Sequence, residues 1–399
     1  MRSTVRAYGL SVVLASAIAP AVAVAQETRA AEIAEAQAAK AGQATSYEPS
    51  KAERVATDLK RFFLETPSGF YPWFESVYSG GGLTLGAGYR QFYGDRTSWD
   101  ARGLYSAKSY KRIELATNSL GLAQGRLDLH AIGGWRDATE VSFYGVGGDT
   151  TVEARTNFRM KQAYAGAAFR GKGPGPAVLG FSAQYEDFTL QDGTGSTAQV
   201  DERYTADTAP GLGANPSYLH MTWSGGIDWR PSPGYARRGG LYELSYEGYF
   251  DVDDTYTFDL LQAEVVQHLP ILRENWVLSF HGVARTTLDD DAVVPYFLLP
   301  SLGSGSTLRA YPSWRFRDRH SLLLSGEWRW IPNRSFLDMA IFYDAGKVAS
   351  RREDLNFTGL KHDWGVGLRI HGPFSTPLRI DIARGSEGTN LVFSGSAAF

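Results

Sequence analysis

From Phe70 to Phe399 apolar and polar side chains alternate with a period of two, segment after segment, which commits the chain to β-sheet with one dry face and one wet face. In Leu219–Arg230 one face holds Leu219, Met221, Trp223, Ile227 and Trp229, and the other holds His220, Thr222, Ser224, Asp228 and Arg230. Trp276, Leu278 and Phe280 alternate with Val277, Ser279 and His281. Trp364, Val366, Leu368 and Ile370 alternate with Gly365, Gly367, Arg369 and His371, and Leu378, Ile380 and Ile382 with Arg379 and Asp381. A soluble sandwich alternates too, but its polar face would not carry so many paired charges while its apolar face carried Trp at strand ends. Apolar-out, polar-in patterning over roughly ten-residue segments predicts an all-β transmembrane antiparallel barrel.

The ends of the chain agree with that reading. Arg2 and Arg6 form a positive leader, Ala7–Val24 is apolar and small, and Ala23-Val24-Ala25 is a cleavage pattern before Gln26, so residues 1–25 read as a signal peptide. The chain has no cysteine, which excludes a lipid-modified cysteine after the cleavage site, a disulfide framework and a thiolate metal site. No other apolar run approaches the ~18 residues of a spanning helix. The 44 Gly, 21 Tyr, 21 Phe and 10 Trp suit tight turns, crowded inward faces and interfacial girdles. A net charge of −3 offers no basic field for nucleic acid. At the other end Leu391, Phe393, Gly395, Ala397 and Phe399 alternate, which predicts an outward-facing terminal aromatic of the kind outer-membrane barrels use as an assembly signal.

Residues 26–69 form a lead. Its first part is rich in Ala, Glu and Gln with no apolar stripe, and predicts a frayed helix or a disordered stretch. Ser50-Lys51-Ala52-Glu53 is a capping box, and Val55, Leu59, Phe62 and Phe63 recur at helical spacing, so a short amphipathic helix is expected to end before Pro67. The barrel domain is then 70–399, with about 16 strands and its first strand near Val77. Connections alternate in length: Gly171–Pro176, Pro231–Gly240, Pro270–Glu274, Pro332–Arg334 and Gly372–Ser375 are compact, while Asp137–Arg155, Thr189–Ser217, Asp289–Arg319 and Lys347–Leu360 are long. Short turns on one side and long loops on the other predict an outer-membrane barrel of a Gram-negative bacterium with both termini periplasmic.

Two segments carry more specific information. Gly303-Ser304-Gly305-Ser306-Thr307-Leu308-Arg309-Ala310-Tyr311-Pro312-Ser313-Trp314-Arg315-Phe316-Arg317-Asp318 is an Arg-rich loop between alternating strands, on the sixth long connection. Phe342-Tyr343-Asp344-Ala345-Gly346 lies in the next strand but one. Alternation turns Glu327, Phe342, Asp344 and Gly346 to the lumen, so both acids sit on adjacent strands where Arg309 can reach them. A lumenal arginine needs such compensation, and the pair predicts a loop folded back into the barrel; a solvated Arg309 with a hydrated Asp344 is the alternative. These segments resemble the two signature motifs of the BamA/TamA superfamily, the bacterial surface antigen family, which writes the loop as Arg-Gly-Tyr or Arg-Gly-Phe and the wall as Phe-x-Asp-x-Gly. The resemblance covers roughly residues 70–399 and makes Arg309, Tyr311, Glu327, Phe342, Asp344 and Gly346 the expected lock. Ala310 departs from the family's Gly; if that position needs a positive φ, Ala costs ~1–2 kcal/mol there. The lead is too short for a POTRA domain, so the resemblance is to a member without them.

The resemblance implies an assembly or insertion factor for outer-membrane proteins, or a polypeptide translocation pore, with client outer-membrane or secreted polypeptides as partners. Outer-membrane lipids, lipopolysaccharide and the host's own assembly machinery are partners of the barrel itself. Gly80, Gly81, Gly82, Gly395, Ala397 and Ala398 would weaken a first-to-last strand seam, unless they are ordinary turn and packing residues. A passive channel or structural barrel that has lost the insertion role is the other reading. An enzyme is not expected: no Gly-x-Ser-x-Gly elbow occurs, and His130, His220, His281 and His371 fall in strands without a nearby catalytic arrangement. Asp251-Val252-Asp253-Asp254 and Asp289-Asp290-Asp291 lack the Gly and terminal Glu of an EF-hand loop, and read as solvated acids or acids facing the divalent cations of the lipopolysaccharide layer. No cofactor, metal or nucleic acid is expected.

Overall fold

The computed structural model describes residues 31–33, 35, 68–73, 75–272, 274–289, 291, 293–332, 336–372, 374–395 and 397–399. The signal peptide expected over residues 1–25 and the helix expected over Val55–Phe63 lie outside these residues. The chain divides into two units, Met1–Lys60 and Arg61–Phe399. In the first, Ala31–Ile33 and Glu35 are helical.

The second unit is an antiparallel β-barrel whose sixteen strands follow one another in chain order with no crossover. They begin with β1 (Gly69–Trp73), β2 (Thr84–Gly94), β3 (Thr97–Ser106), β4 (Lys111–Gly121) and β5 (Leu127–Phe143). Next come β6 (Thr156–Lys172), β7 (Ala177–Asp192), β8 (Ser217–Asp228), β9 (Gly239–Asp251), β10 (Phe258–Leu272) and β11 (Trp276–Thr287). Two short strands, β12 (Ser301–Leu302) and β13 (Phe316–Arg317), pair with each other outside the barrel sheet. β14 (His320–Trp330), β15 (Leu337–Ala349), β16 (Lys361–Ile370), β17 (Leu378–Gly385) and β18 (Gly388–Ser394) complete the order. Among the described residues no ladder joins β1 to β18.

The alternation seen in the sequence is the alternation of burial. Trp328, Trp330, Ile341 and Tyr343 face outward and are about half exposed, while Glu327, Arg329, Phe342 and Asp344 between them are buried. The polar faces therefore line a lumen, and that lumen is filled. An even number of antiparallel strands leaves the start of β1 and the end of β18 at the end of the short turns, and places the β11–β14 connection sixth on the long side, as expected.

Two expectations need correction. The first strand is Gly69–Trp73, and Val77 lies in the β1–β2 connection, 1% exposed. Gly80 and Gly82 in that connection have φ of +93° and +76°, so they serve a turn that only glycine enters without strain, and not the seam. Several strands also run further than the alternation showed: β5 and β6 each extend for 17 residues and β7 for 16. Their far ends bury Val141, Phe143, Phe158, Met160 and Phe188 on a second hydrophobic cluster with Tyr296 and Phe297 of the long loop, so both faces there no longer alternate with water.

Candidate functional site

The loop 301–317 is a hairpin that hangs into the lumen. Its root is the β12–β13 pair, with Ser301 opposite Arg317 and Leu302 opposite Phe316. Its tip is Leu308–Tyr311, all four residues buried, packed with Leu302, Phe316, Leu323, Phe342 and Ala383.

At the tip Arg309 is 2% exposed, and four of its five N–H groups donate to carboxylates. Its Nε and Nη2 donate to Asp344 Oδ2 and Oδ1 at 2.7 and 3.0 Å, a side-on bidentate pair. Nη1 donates to Glu327 Oε2 at 3.1 Å and to Asp381 Oδ2 at 3.2 Å. The guanidinium lies 3.5 Å over the Phe342 ring. Burial alone would lower the Arg309 pKa; the charge and hydrogen bonds of Asp344, then Glu327 and Asp381, overcome it and raise the pKa above its usual value.

The wall carries its own cations. Arg369 of β16 donates to Asp381 Oδ1 at 2.5 Å and to Glu327 Oε2 at 2.7 Å, and Arg379 Nε stands 3.6 Å from Asp381 Oδ2. Arg309, Arg369 and Arg379 thus share Glu327, Asp344 and Asp381, with Arg329 4.0 Å from Glu327 at the edge of the cluster, and of these side chains the loop supplies only Arg309. Backbone contacts finish the lock. Ala310 N–H donates to Asp363 Oδ2 at 3.1 Å, Asn390 Nδ2 donates to the Arg309 carbonyl at 2.8 Å, and Arg379 donates to the Gly305 carbonyl. Tyr311 Oη meets Ser386 Oγ at 3.0 Å in the β17–β18 turn.

Each residue expected in the lock therefore has a place. Phe342 floors the guanidinium, Asp344 grips it, Glu327 bridges it to Arg369, and Tyr311 reaches the last hairpin. Gly346 makes room for the loop: a Cβ there would stand 2.9 Å from the Leu302 side chain and 2.8 Å from the Leu322 carbonyl. Glycines on β16 do the same for the wall, since a Cβ at Gly365 would meet Phe342 at 2.4 Å and one at Gly367 would meet Asp381 at 2.0 Å. Ala310 carries no left-handed strain, because its φ is not positive; the positive φ values of the hairpin fall at Gly303 and Trp314. Its methyl group is accommodated by Gly385, whose own Cβ would come within 3.1 Å of it. Gly385→Ala should loosen the loop tip, and Ala310→Gly should restore it in the double variant. Protease cleavage within 301–318 would measure both, and equal cleavage of single and double variants would show that the two positions do not share this space.

Asp381, Arg369, Arg379, Asp363 and Asn390 were not anticipated as lock residues. Alternation had already put Arg369, Arg379 and Asp381 on one face of neighbouring strands. The missing signal was register: Arg369 pairs with Arg379 and Gly367 with Asp381 across the β16–β17 ladder, which sets all three beneath the loop tip.

Phe399 departs from the expected outward face. β18 ends at Ser394, so the last residues leave the ladder and alternation no longer decides their direction. Its ring stacks on the lumenal His281 at 5.0 Å and faces His268 at 6.3 Å. His281 in turn binds Glu264 at 3.0 Å and His220 binds Glu186 at 3.2 Å, consistent with lumenal hydrogen-bonding roles. At the short-turn end, Pro233–Tyr235 folds under the barrel. Tyr235 Oη donates to Asp338 Oδ2 at 2.6 Å and its ring stacks on His371 at 4.0 Å.

No family model matches the chain, and no curated protein matches it in sequence. Solved structures do match in fold. BamA from Haemophilus ducreyi lacking POTRA domains 1–3 superposes with a TM-score of 0.57 at 14% identity, over 87% of this chain and 78% of that one. CdiB from Escherichia coli gives 0.54 at 11% identity, and CdiB from Acinetobacter baumannii 0.50 at 11%. This chain spans 61% and 58% of the two CdiB chains. The likeness is one of fold.

Proposed function

We propose that this protein is an outer-membrane barrel that handles polypeptides, inserting client barrels or passing a secreted chain, with Arg309 holding its long loop as the lumenal plug. The observation that supports this most is the lock itself. One loop arginine is shared among carboxylates on β14, β15 and β17, in the two motifs that resemble the BamA/TamA superfamily. Among the described residues no ladder joins β1 to β18, and the outer edges of these two strands are where a client strand would find free backbone groups to pair with. In this reading the long loops are external, both termini are periplasmic and Phe399 acts as an assembly signal before its tail enters the lumen. Filling at both ends, by the hairpin on one side and by Tyr235 with the Phe399 tail on the other, weighs against a simple open channel.

Deleting the gene should lower the outer-membrane level of one or more client barrels, or the secretion of one exoprotein, as read by quantitative proteomics of membrane and medium. The wild-type gene should restore that level and an Asp344→Ala variant should restore it only in part. Unchanged client levels combined with a large steady conductance in planar bilayers would replace this reading with the passive channel.

A further inference from the structure

The hairpin brings three arginines into the lumen, and they are not treated alike. Arg309 at the tip places its Nε/Nη2 edge on Asp344. Arg315 places its Nε on Glu387 at 2.8 Å and donates to Thr150. Arg317 at the root is 1% exposed, and among the described residues its side chain makes one hydrogen bond, from Nη1 to the Tyr296 carbonyl at 2.9 Å. Among the described residues its Nε and Nη2 have no acceptor. The neighbouring Asp318 accepts through Oδ1 from the Arg319 N–H at 2.8 Å. Burial accordingly pulls the Arg317 pKa below its usual value, with only the phenols of Tyr78 and Tyr296 acting against it.

What covers Arg317 is under strain. Its guanidinium sits 4.8 Å from the Trp314 ring, and Trp314 has a φ of +65°, a left-handed conformation that a bulky residue rarely adopts. Trp314 is held there by stacking on Tyr78 at 4.8 Å and by donating Nε1–H to the Ser79 carbonyl at 3.0 Å. A buried guanidinium without an anion and a strained backbone above it both raise the energy of the closed arrangement. Both terms are relieved together if an anion takes the open edge and Trp314 moves aside.

We propose that Arg317 is a closed oxyanion site with Trp314 as its lid. The ligand is a group offering two oxygens to parallel N–H donors, a carboxylate or a phosphate, bound side-on at Nε and Nη2 as Asp344 is bound by Arg309. The site lies at the long-loop end, where the Gly147 N–H donates to the Arg317 carbonyl at 2.7 Å, so the β5–β6 connection is its outer rim. It stands independently of the polypeptide-handling reading.

The test uses the mature chain folded in detergent, with inorganic phosphate and acetate as separate probes and calorimetry and tryptophan emission as readouts. One of the two should bind saturably and shift the emission, and which one does names the donor class. Arg317→Gln should abolish both signals, keep the heat-dependent gel mobility of the folded barrel, and melt at a higher temperature than wild type in the absence of anion. Trp314→Gly should bind about tenfold more tightly, because the cover and its contacts to Tyr78 and Ser79 no longer have to be displaced, a gain that outweighs the lost release of strain. Absence of saturation by either anion in both wild type and Trp314→Gly overturns the proposal, as does undiminished binding in Arg317→Gln. Failure of Arg317→Gln to fold overturns it too, since a charge that only costs stability is not needed for the barrel.

Discussion

Asp344→Ala should destabilise the barrel by about 3–5 kcal/mol, because it strips the buried Arg309 guanidinium of its bidentate partner. The site is dry enough for that range to apply. The Arg309 and Glu327 side chains are each 3% exposed, and Asp344 and Asp381 are fully buried. An exposed pair would lose only ~0–1 kcal/mol. The folded gel mobility should survive, since the sixteen-strand ladder does not depend on the loop, but trypsin should now cut at Arg315 and Arg317. Replacing both partners is the sharper experiment. Arg309→Met/Asp344→Leu removes one charge of each sign and leaves Arg369 and Arg379 facing Glu327 and Asp381, so the double variant should be more stable than either single one. Additive losses in that cycle would mean that the two residues do not act as a pair.

The lock was legible from the sequence because its parts obey short-range rules. Alternation along β14 and β15 turns Glu327, Phe342 and Asp344 inward whatever the rest of the chain does, and the resemblance of the two segments to family motifs singles out Arg309 as the loop residue that meets them. The sixteen strands and the side of each long loop followed from the same period of two and from connection length. What escaped was set by long-range geometry. Asp381 lies 72 residues from Arg309, and no local pattern distinguishes it from other inward acids until the β16–β17 register is known. The reason Ala310 fits is a glycine in another strand, Gly385, not anything in its own neighbourhood. Alternation does not place Phe399, because the ladder that gives alternation its meaning ends at Ser394. The first strand lies earlier than the position near Val77 expected for it, and Val77 owes its burial to the long-loop cluster, not to a pleated sheet.

Asp381→Ala should cost as much as Asp344→Ala, although no motif names Asp381. It accepts from Arg309 at 3.2 Å and from Arg369 at 2.5 Å, with Arg379 at 3.6 Å, so its loss takes one carboxylate from three guanidinium groups at once. Asp381→Asn should be milder, since the amide oxygen still accepts while the charge is lost. Gly367→Ala should act in the same direction by a steric route, because its Cβ would stand 2.0 Å from Asp381 Oδ1. The consequences should not stop at the loop. Asp381 is on β17, which is the one strand paired with β18 among the described residues, and Asn390 of β18 holds the Arg309 carbonyl. The last hairpin is therefore fastened to the barrel by β16 on one side and by the hairpin tip from within. Releasing that tip should raise amide exchange in β18 as well as in 301–318, whereas Asp344→Ala, two strands further in, should affect β18 less. Equal exchange of β18 in wild type and Asp381→Ala would mean that the edge strand is secured by its ladder alone, and that the loop lock does not reach the seam.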